Sequence, residues 1–251
     1  MGRFRALLRL PTLPVVAAPF ILLAPAWLAG RALFWGTPAL QFHPWRVAAW
    51  EMLRAGHLPL WNPLVGMGAP LLANYQSALL YPPTWVYFLL GWLGGGPLMA
   101  WGQAVVVAAH LAFAGLGMVR LSRELGWGEL AQTVSGLAFG LSGYLVARAG
   151  FLSIDAAAAW LPWVLWAVYR AVYQFARAEG CGEGRWGWLR SRDWLVLSFL
   201  LAMQLLAGHA QTAWYTLLLA GLWGLFWGLQ GREINAHSQI NSNYPSLQLL
   251  L

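Results

Sequence analysis

The chain has 251 residues, of which 60% are hydrophobic and 9% are charged, and its formal net charge is +7. A soluble domain carries about 25% charged residues. The polar side chains here are too few to cover a water-soluble globule of this size. The composition therefore excludes that class and predicts an integral membrane protein of the helical type.

The positive charge indicates membrane topology and not a polyanionic partner. All fifteen basic residues are arginines, and they lie at the ends of apolar runs, without a patch of exposed aromatic residues among them. A nucleic-acid partner is therefore not expected. The single cysteine, Cys181, excludes an intrachain disulfide and a paired-cysteine metal site.

Apolar runs of spanning length predict an all-α fold, a polytopic transmembrane helix bundle formed by residues 1–232. About six spans are predicted, over residues 11–34, 97–119, 129–147, 155–176, 194–208 and 211–229. Pro162 interrupts the fourth span. In the third, the GxxxG pair of Gly136 and Gly140 allows another helix to approach closely.

The segment between the first two spans, residues 35–95, is predicted to be a long structured loop. It begins with a helix over residues 42–55 whose polar side chains share one arc, so this helix is expected to lie along the membrane surface. These side chains are His43, Arg46, Glu51 and Arg54. The next stretch, HLPLWNPLVGMGAPLLANYQSALLYPP, cannot face lipid, because its backbone is irregular. A short apolar stretch, 84–93, follows and is too short to span.

The distribution of arginines orients the bundle. With the N-terminus in the cytoplasm, eleven arginines fall on the inner side and four on the outer side, in agreement with the positive-inside rule. The outer ones are Arg31, Arg46, Arg54 and Arg148. The loop 35–95 is then extracytoplasmic, and the polar linker 177–193 is cytoplasmic. The tail, residues 233–251, changes composition abruptly and is predicted to be disordered or aberrant.

Two carboxylates on the predicted outer side are candidates for a catalytic base. Glu51 could act as a base or hold a metal, or it could form an ion pair with Arg54 three residues on. Asp155 opens the fourth span, where it could act as a base or simply favour the helix N-terminus. Both alternatives stay open for each residue.

Two histidines interrupt apolar stretches. His209 lies near the predicted outer rim, and we expect it either to face a cavity or to stand at a tight reversal after Gly208. His110 lies in mid-span and is predicted to be a packed, hydrogen-bonded side chain.

The loop also offers amide and aromatic groups that suit a sugar or a lipid-linked headgroup. The candidates for substrate binding are Trp61, Asn62, Asn74 and Gln76. Tryptophan is also the usual residue of the aromatic belt of a membrane protein. Since the chain has 18 tryptophans, that interpretation stays open as well.

Several stretches resemble one family, the bacterial YfhO-type membrane proteins. They are QFHPW (41–45), the GHLPLWNPLVGMGAPLLANYQSALLYPP run of the loop, AWLPW (159–163) and AGHAQTAWY (207–215). The resemblance covers about residues 30–230 of this chain. It extends over only the N-terminal part of these generally longer proteins.

The resemblance implies a GT-C-type glycosyltransferase in the bacterial inner membrane. Such an enzyme moves a sugar from a polyprenyl-phosphate donor to a cell-envelope acceptor at the outer face, often with a divalent metal. Arg46, Arg54 or Arg148 would meet the phosphate charge. GT-C enzymes usually carry a catalytic acid near the end of the first span. This chain reads FWGTPALQF there, without an acid, so Glu51 or Asp155 would take that role.

The alternative is a non-catalytic membrane protein: half of a transporter or flippase, a scaffold, or an inactive fragment. Broken helices near the midplane, at Pro162 and at Gly208-His209, would suit transport. The two hypotheses differ in where polar side chains converge. An enzyme gathers them beneath the outer loop, whereas a transporter has a midplane cavity that opens to both faces.

Overall fold

The computed structural model describes residues 11–33, 36–179 and 192–243, and almost all of their regular structure is helical. The helices are α1 (Thr12–Leu28), α2 (His43–Arg54), α3 (Trp85–Glu124), α4 (Glu129–Gly140), α5 (Gly143–Arg148), α6 (Leu152–Ala158), α7 (Leu161–Glu179), α8 (Arg192–Leu206) and α9 (Ala210–Asn243). A short π-helix, Pro38–Phe42, leads into α2. The predicted all-α fold is confirmed.

Among the residues that the structure describes, four helical stretches are long and apolar enough to cross a membrane, so the chain is a helical membrane protein. They are Pro82–Glu124, Glu129–Arg148, Leu152–Tyr173 and Ala210–Gln230. The other two predicted spans correspond to shorter helices, the 17-residue α1 and the 15-residue α8. The predicted class is confirmed, and the number of six spans stays a prediction.

Glycine and proline divide the long helices where the sequence predicts. Gly94 and Gly95 are non-helical, Gly95 with φ +66°, and they separate the short apolar stretch at the start of α3 from the span that follows. Pro162 lies in the first turn of α7, directly after the break that ends α6. The break between α4 and α5 is not predicted. There Ser142 Oγ accepts a hydrogen bond from the Leu145 amide.

The GxxxG pair lets α4 pack closely on α3, as predicted. A Cβ on Gly140 would lie 2.8 Å from the Leu111 carbonyl oxygen, and a Cβ on Gly136 would lie 3.1 Å from the Gly115 carbonyl oxygen. In the other direction, a Cβ on Gly115 would lie 2.9 Å from the Gly136 carbonyl oxygen. The two backbones are therefore too close for a side chain between them.

Gly140→Leu is expected to lower the free energy of unfolding by about 1–3 kcal/mol, because the added side chain forces two helix backbones apart. Gly221→Leu is the matched control, since a Cβ at Gly221 in α9 has no atom within 4 Å. Thermal unfolding of both variants in one detergent measures the difference. Equal stability of Gly140→Leu and the parent would contradict the close packing.

The loop over residues 36–84 has defined structure and packs on the bundle. Trp61–Asn62 (β1) and Ala69–Pro70 (β2) pair as a two-stranded antiparallel ribbon, and 3-10 turns follow at Tyr75–Ser77 and Pro82–Thr84. Apolar side chains of the loop, α2 and α3 form one buried group. It contains Ala48, Ala49, Trp50, Leu71, Leu79, Tyr87, Phe88 and Met99. The extracytoplasmic location of the loop stays a prediction.

Helix α2 differs from the predicted surface helix. Arg46 and Trp50 are buried, whereas Leu53 is exposed. Ala48, Ala49 and Trp50 pack against the loop and α3, and Arg46 lies over the Tyr87 ring of α3. Glu51 and Arg54, from the same predicted polar arc, are exposed. The expectation that Arg46 belongs to an exposed polar arc is therefore wrong.

Two predictions fall partly on residues outside the described ranges. Helix α7 continues to Glu179 and α8 begins at Arg192, so most of the predicted linker 177–193 is not described. In the tail, α9 continues over residues 233–243, which the sequence predicts to be disordered. Extending an existing helix is easier than starting one, which accounts for this continuation. Residues 244–251 lie outside the described residues.

Candidate functional site

Arg46, from α2, is a buried cation with little compensation. It is 5% exposed, and its Nε and Nη1 atoms have no hydrogen-bond partner. Its guanidinium lies over the Tyr87 ring, 3.9 Å from the ring centroid, which offers a cation–π contact. Burial lowers the pKa of Arg46 and Tyr87 opposes that shift. Since arginine stays protonated in proteins, the site keeps a full positive charge.

Asp155, in the first turn of α6, is a buried carboxylate that faces the same space. It is 2% exposed, and its Oδ1 atom has no hydrogen-bond partner. Asp155 and Arg46 line one cavity of about 20 Å³, which is enough for about one water molecule. Within the described part of the chain, these two side chains form no ion pair. The predicted position of Asp155 at a helix N-terminus is confirmed.

The cavity lies where the loop, α3 and α6 meet. Besides Arg46 and Asp155, its polar lining residues are Gln76, Tyr81, Thr84, Tyr87, His110 and Ser153. We call these eight residues the buried polar cluster, although Gln76, at its edge, is exposed. The guanidinium of Arg46 and the carboxyl group of Asp155 both have unpaired atoms, in a space for about one water molecule. Electrostatic interactions are strong in such an environment.

Three side chains beside the cavity form a hydrogen-bond chain with one consistent direction. The Trp160 Nε1–H donates to Tyr81 Oη at 2.9 Å, so the Tyr81 hydroxyl can donate to His110 Nε2 at 3.0 Å. His110 Nδ1 lies 2.8 Å from the Val106 carbonyl oxygen, which can only accept. This arrangement fits a neutral imidazole with its proton on Nδ1. The predicted packed, hydrogen-bonded state of His110 is confirmed.

The reversal between α8 and α9 seats the loop against the bundle. Gly208 has φ +87°, and a Cβ there would lie 2.7 Å from the Tyr75 carbonyl oxygen. The preceding residue, Ala207, lines the cavity. On the other side, Pro82 and Pro83 form the turn that follows Tyr81 and leads into α3. Burial raises the pKa of Tyr81, so its phenol stays protonated at neutral pH.

Seven of the ten predicted site residues do not line the cavity, and Glu51, Arg54 and Trp61 are three of them. Glu51 and Arg54 are exposed, and among the described residues they form no ion pair, so the alternative of a pair between them is wrong. Arg54 instead lies beside the Trp50 ring, 5.1 Å from its centroid. Trp61 is half exposed and packs on Gly68, where a Cβ would overlap the indole.

The side chains of the two loop asparagines accept hydrogen bonds from nearby backbone amides. Asn62 is buried, and its Oδ1 accepts from the Leu64 amide at 3.0 Å. Asn74 Oδ1 accepts from the Gln76 amide at 3.1 Å. Both are turn-forming contacts typical of asparagine, so these oxygens are already engaged. Gln76, in contrast, lines the cavity, and the Gln41 Nε2 donates to its Oε1 at 3.1 Å.

Arg148 and His209 lie near each other at a second place, where α5 ends and α9 begins. Arg148 is exposed, and its Cζ lies 5.2 Å from the Phe151 ring centroid. His209 Nδ1 accepts from the Thr212 amide at 3.2 Å. Partial burial, and then the positive charge of Arg148, lower the pKa of His209, so the imidazole is neutral at pH 7. Neither residue lines the cavity of the buried polar cluster.

Three members of the buried polar cluster are not predicted by the sequence pattern. They are Thr84, Tyr87 and Ser153, all hydroxyl residues within or beside apolar runs. The one available signal is local, since Ser153 stands two residues before Asp155 in FLSID. The others belong to the site only because the loop folds back onto α3.

No family model, curated protein or solved structure matches this chain. The family resemblance therefore stays a prediction. Over the described residues, no group of three or more His, Cys, Asp or Glu side chains is arranged to hold a metal ion.

Proposed function

We propose that the chain is the N-terminal part of a GT-C-like glycosyltransferase. It transfers a sugar from a polyprenyl-phosphate donor to a cell-envelope acceptor at the outer face of the bacterial inner membrane. The observation that supports this most is the meeting of Arg46, Gln76 and Asp155 in one cavity beneath the loop. Convergence under the loop favours an enzyme over a transporter. The resemblance of the loop to the YfhO-type proteins supports the substrate class.

Asp155 is the proposed base. The acceptor hydroxyl oxygen bonds to the anomeric carbon, the bond from that carbon to the lipid phosphate breaks, and Asp155 takes the hydroxyl proton. The released polyprenyl phosphate carries negative charge, which the Arg46 guanidinium stabilises. Glu51 is not assigned a role, because it is exposed and lies about 140° around α2 from Arg46.

Substrate binding by this mechanism requires the loop to move. The cavity of about 20 Å³ admits a water molecule and no sugar. On the Gln76 side, the exposed hydrogen bond from Gln41 joins two parts of the same loop, and the contact with the bundle is the backbone packing of Tyr75 and Gln76 on Gly208. Opening the cavity on this side therefore means separating the loop from the α8–α9 reversal, a movement of the kind made by active-site lids.

The closed cavity also fits a second candidate, a non-catalytic membrane subunit. In that protein the buried polar cluster would hold the loop to the bundle, and one water would bridge Arg46 and Asp155. The two candidates differ in what the Asp155 carboxylate does. An enzyme needs it to take a proton, whereas a structural subunit needs only its charge.

A transfer assay tests the proposed function. The chain, and a longer protein that carries the same loop motif, are each placed in lipid vesicles with a radiolabelled hexose on polyprenyl phosphate. Isolated cell-envelope membranes supply the acceptor. We expect the label to move from lipid to envelope material faster than in protein-free vesicles. If neither protein turns over the donor, the glycosyltransferase function is excluded and the non-catalytic subunit is the better description.

A further inference from the structure

A groove runs along the side of the bundle between the α4–α5 pair and α9. Its volume is about 650 Å³, within the roughly 300–1,000 Å³ of small-molecule sites. Its walls are mainly apolar and include Met118, Phe139, Leu145, Leu161 and Leu219. We call it the lateral groove. The two helical stretches that border it are the least buried of the four candidate spans, at 22% and 17%, so it opens towards lipid.

One end of the lateral groove is polar and positively charged. Tyr144 and Thr212 line the groove there. The Arg148 Cζ lies 6.0 Å from the Tyr144 ring centroid, and His209 Nδ1 lies 2.7 Å from Thr212 Oγ1. Arg148 is exposed, and neither of the ion pairs found among the described residues involves it. Because His209 Nδ1 accepts from the Thr212 amide, the ring proton lies on Nε2 and is available to a ligand.

The lateral groove is separate from the buried polar cluster. The two spaces share no lining residue, and Arg148 and His209 line neither space but lie beside Tyr144 and Thr212 of the groove. A molecule that fills the groove therefore does not occupy the cavity of Arg46 and Asp155. It is a different site from the one assigned to sugar transfer.

We propose that the lateral groove binds one anionic phospholipid of the surrounding bilayer. An acyl chain lies along the apolar wall, and the phosphate meets Arg148 and the His209 Nε2–H. Charge complementarity at the positively charged end of the groove selects an anionic headgroup, and the apolar wall retains the acyl chain. This lipid site does not depend on the proposed function.

Native mass spectrometry of the purified chain with dioleoyl phosphatidylglycerol or dioleoyl phosphatidylcholine tests the headgroup contact. We expect the chain to retain one phosphatidylglycerol in preference to phosphatidylcholine. Arg148→Gln should lower that affinity about fivefold, the effect of one basic residue near a membrane surface. Arg54→Gln is the matched control, since Arg54 is also exposed but lies outside the groove, and should leave the affinity unchanged.

A bulky side chain placed in the lateral groove tests the contact with the acyl chain of the lipid. Ala138 lines the groove and is exposed, so Ala138→Trp should remove the bound phosphatidylglycerol. Val134→Trp is the control, because Val134 lies one turn earlier on α4, is exposed, and does not line the groove. It should retain the lipid.

Equal retention of the two phospholipids by the parent would overturn the lipid site. So would unchanged phosphatidylglycerol binding in both Arg148→Gln and Ala138→Trp, with helix content checked by circular dichroism. If polyprenyl phosphate displaces phosphatidylglycerol from the parent but not from Arg148→Gln, the groove binds the lipid of the sugar donor. That result would also overturn the phospholipid site. Loss of sugar transfer alone, with lipid selectivity intact, would concern only the proposed function.

Discussion

Asp155→Asn is expected to lower the rate of sugar transfer by about 10²–10⁴-fold, the usual contribution of a general base. Asparagine keeps the size of the carboxylate and one of its oxygens, but it cannot take the proton of the acceptor hydroxyl. Glu51→Gln removes the other carboxylate that the sequence places on the outer side, and it should leave the rate unchanged, because Glu51 is exposed and does not line the cavity. The vesicle assay with equal amounts of reconstituted protein measures both rates.

The free energy of unfolding separates the chemical role of Asp155 from a structural one. If the carboxylate serves only to balance the buried charge of Arg46, its removal should cost about 3–5 kcal/mol of stability. Transfer per folded molecule would then be unchanged. If Asp155 is the base, transfer per folded molecule falls by the expected factor. A full rate per folded molecule in Asp155→Asn would therefore sink the catalytic assignment.

Much of the fold follows from composition and helix breakers. The apolar content indicates membrane helices, Pro162 marks an interruption, and the Gly136–Gly140 pair marks a close helix contact. The break between α4 and α5 is harder to predict, because it depends on Ser142 accepting the Leu145 amide. Serine also occurs inside helices, where it bonds to the backbone or to water, so its presence does not mark a break.

The candidate site is less predictable, because a segment distant in sequence completes it. Helical periodicity gives the direction of Arg46 relative to its neighbours on α2, but not which face of α2 the loop covers. Asn62 and Asn74 are predicted to bind substrate, but local contacts account for their side chains. Their turn-forming role is local and common for asparagine, and it accounts for their side-chain oxygens without a ligand.

Tyr81→Phe is expected to lower the free energy of unfolding by about 2–5 kcal/mol. The hydroxyl accepts from Trp160 Nε1 and lies within hydrogen-bonding distance of His110 Nε2, and a buried polar group that loses its partner costs about 1–3 kcal/mol. Tyr75→Phe is the control, since Tyr75 is 42% exposed. It should change the stability by less than about 0.5 kcal/mol. Unfolding of the parent and both variants in one detergent gives the comparison.

A double-mutant cycle of Tyr81→Phe with Trp160→Phe shows whether the hydrogen bond between Trp160 and Tyr81 couples the loop to the bundle. Removing both partners leaves no unpaired indole N–H, so the double variant should lose less stability than the sum of the single losses. Additive losses would mean that the loop and the α6–α7 junction are not coupled through Tyr81. Strong coupling has a consequence for access to Asp155. Tyr81 would then be a fixed edge of the cavity, and an opening for a sugar would have to form on the Gln76 side, by separating the loop from Gly208.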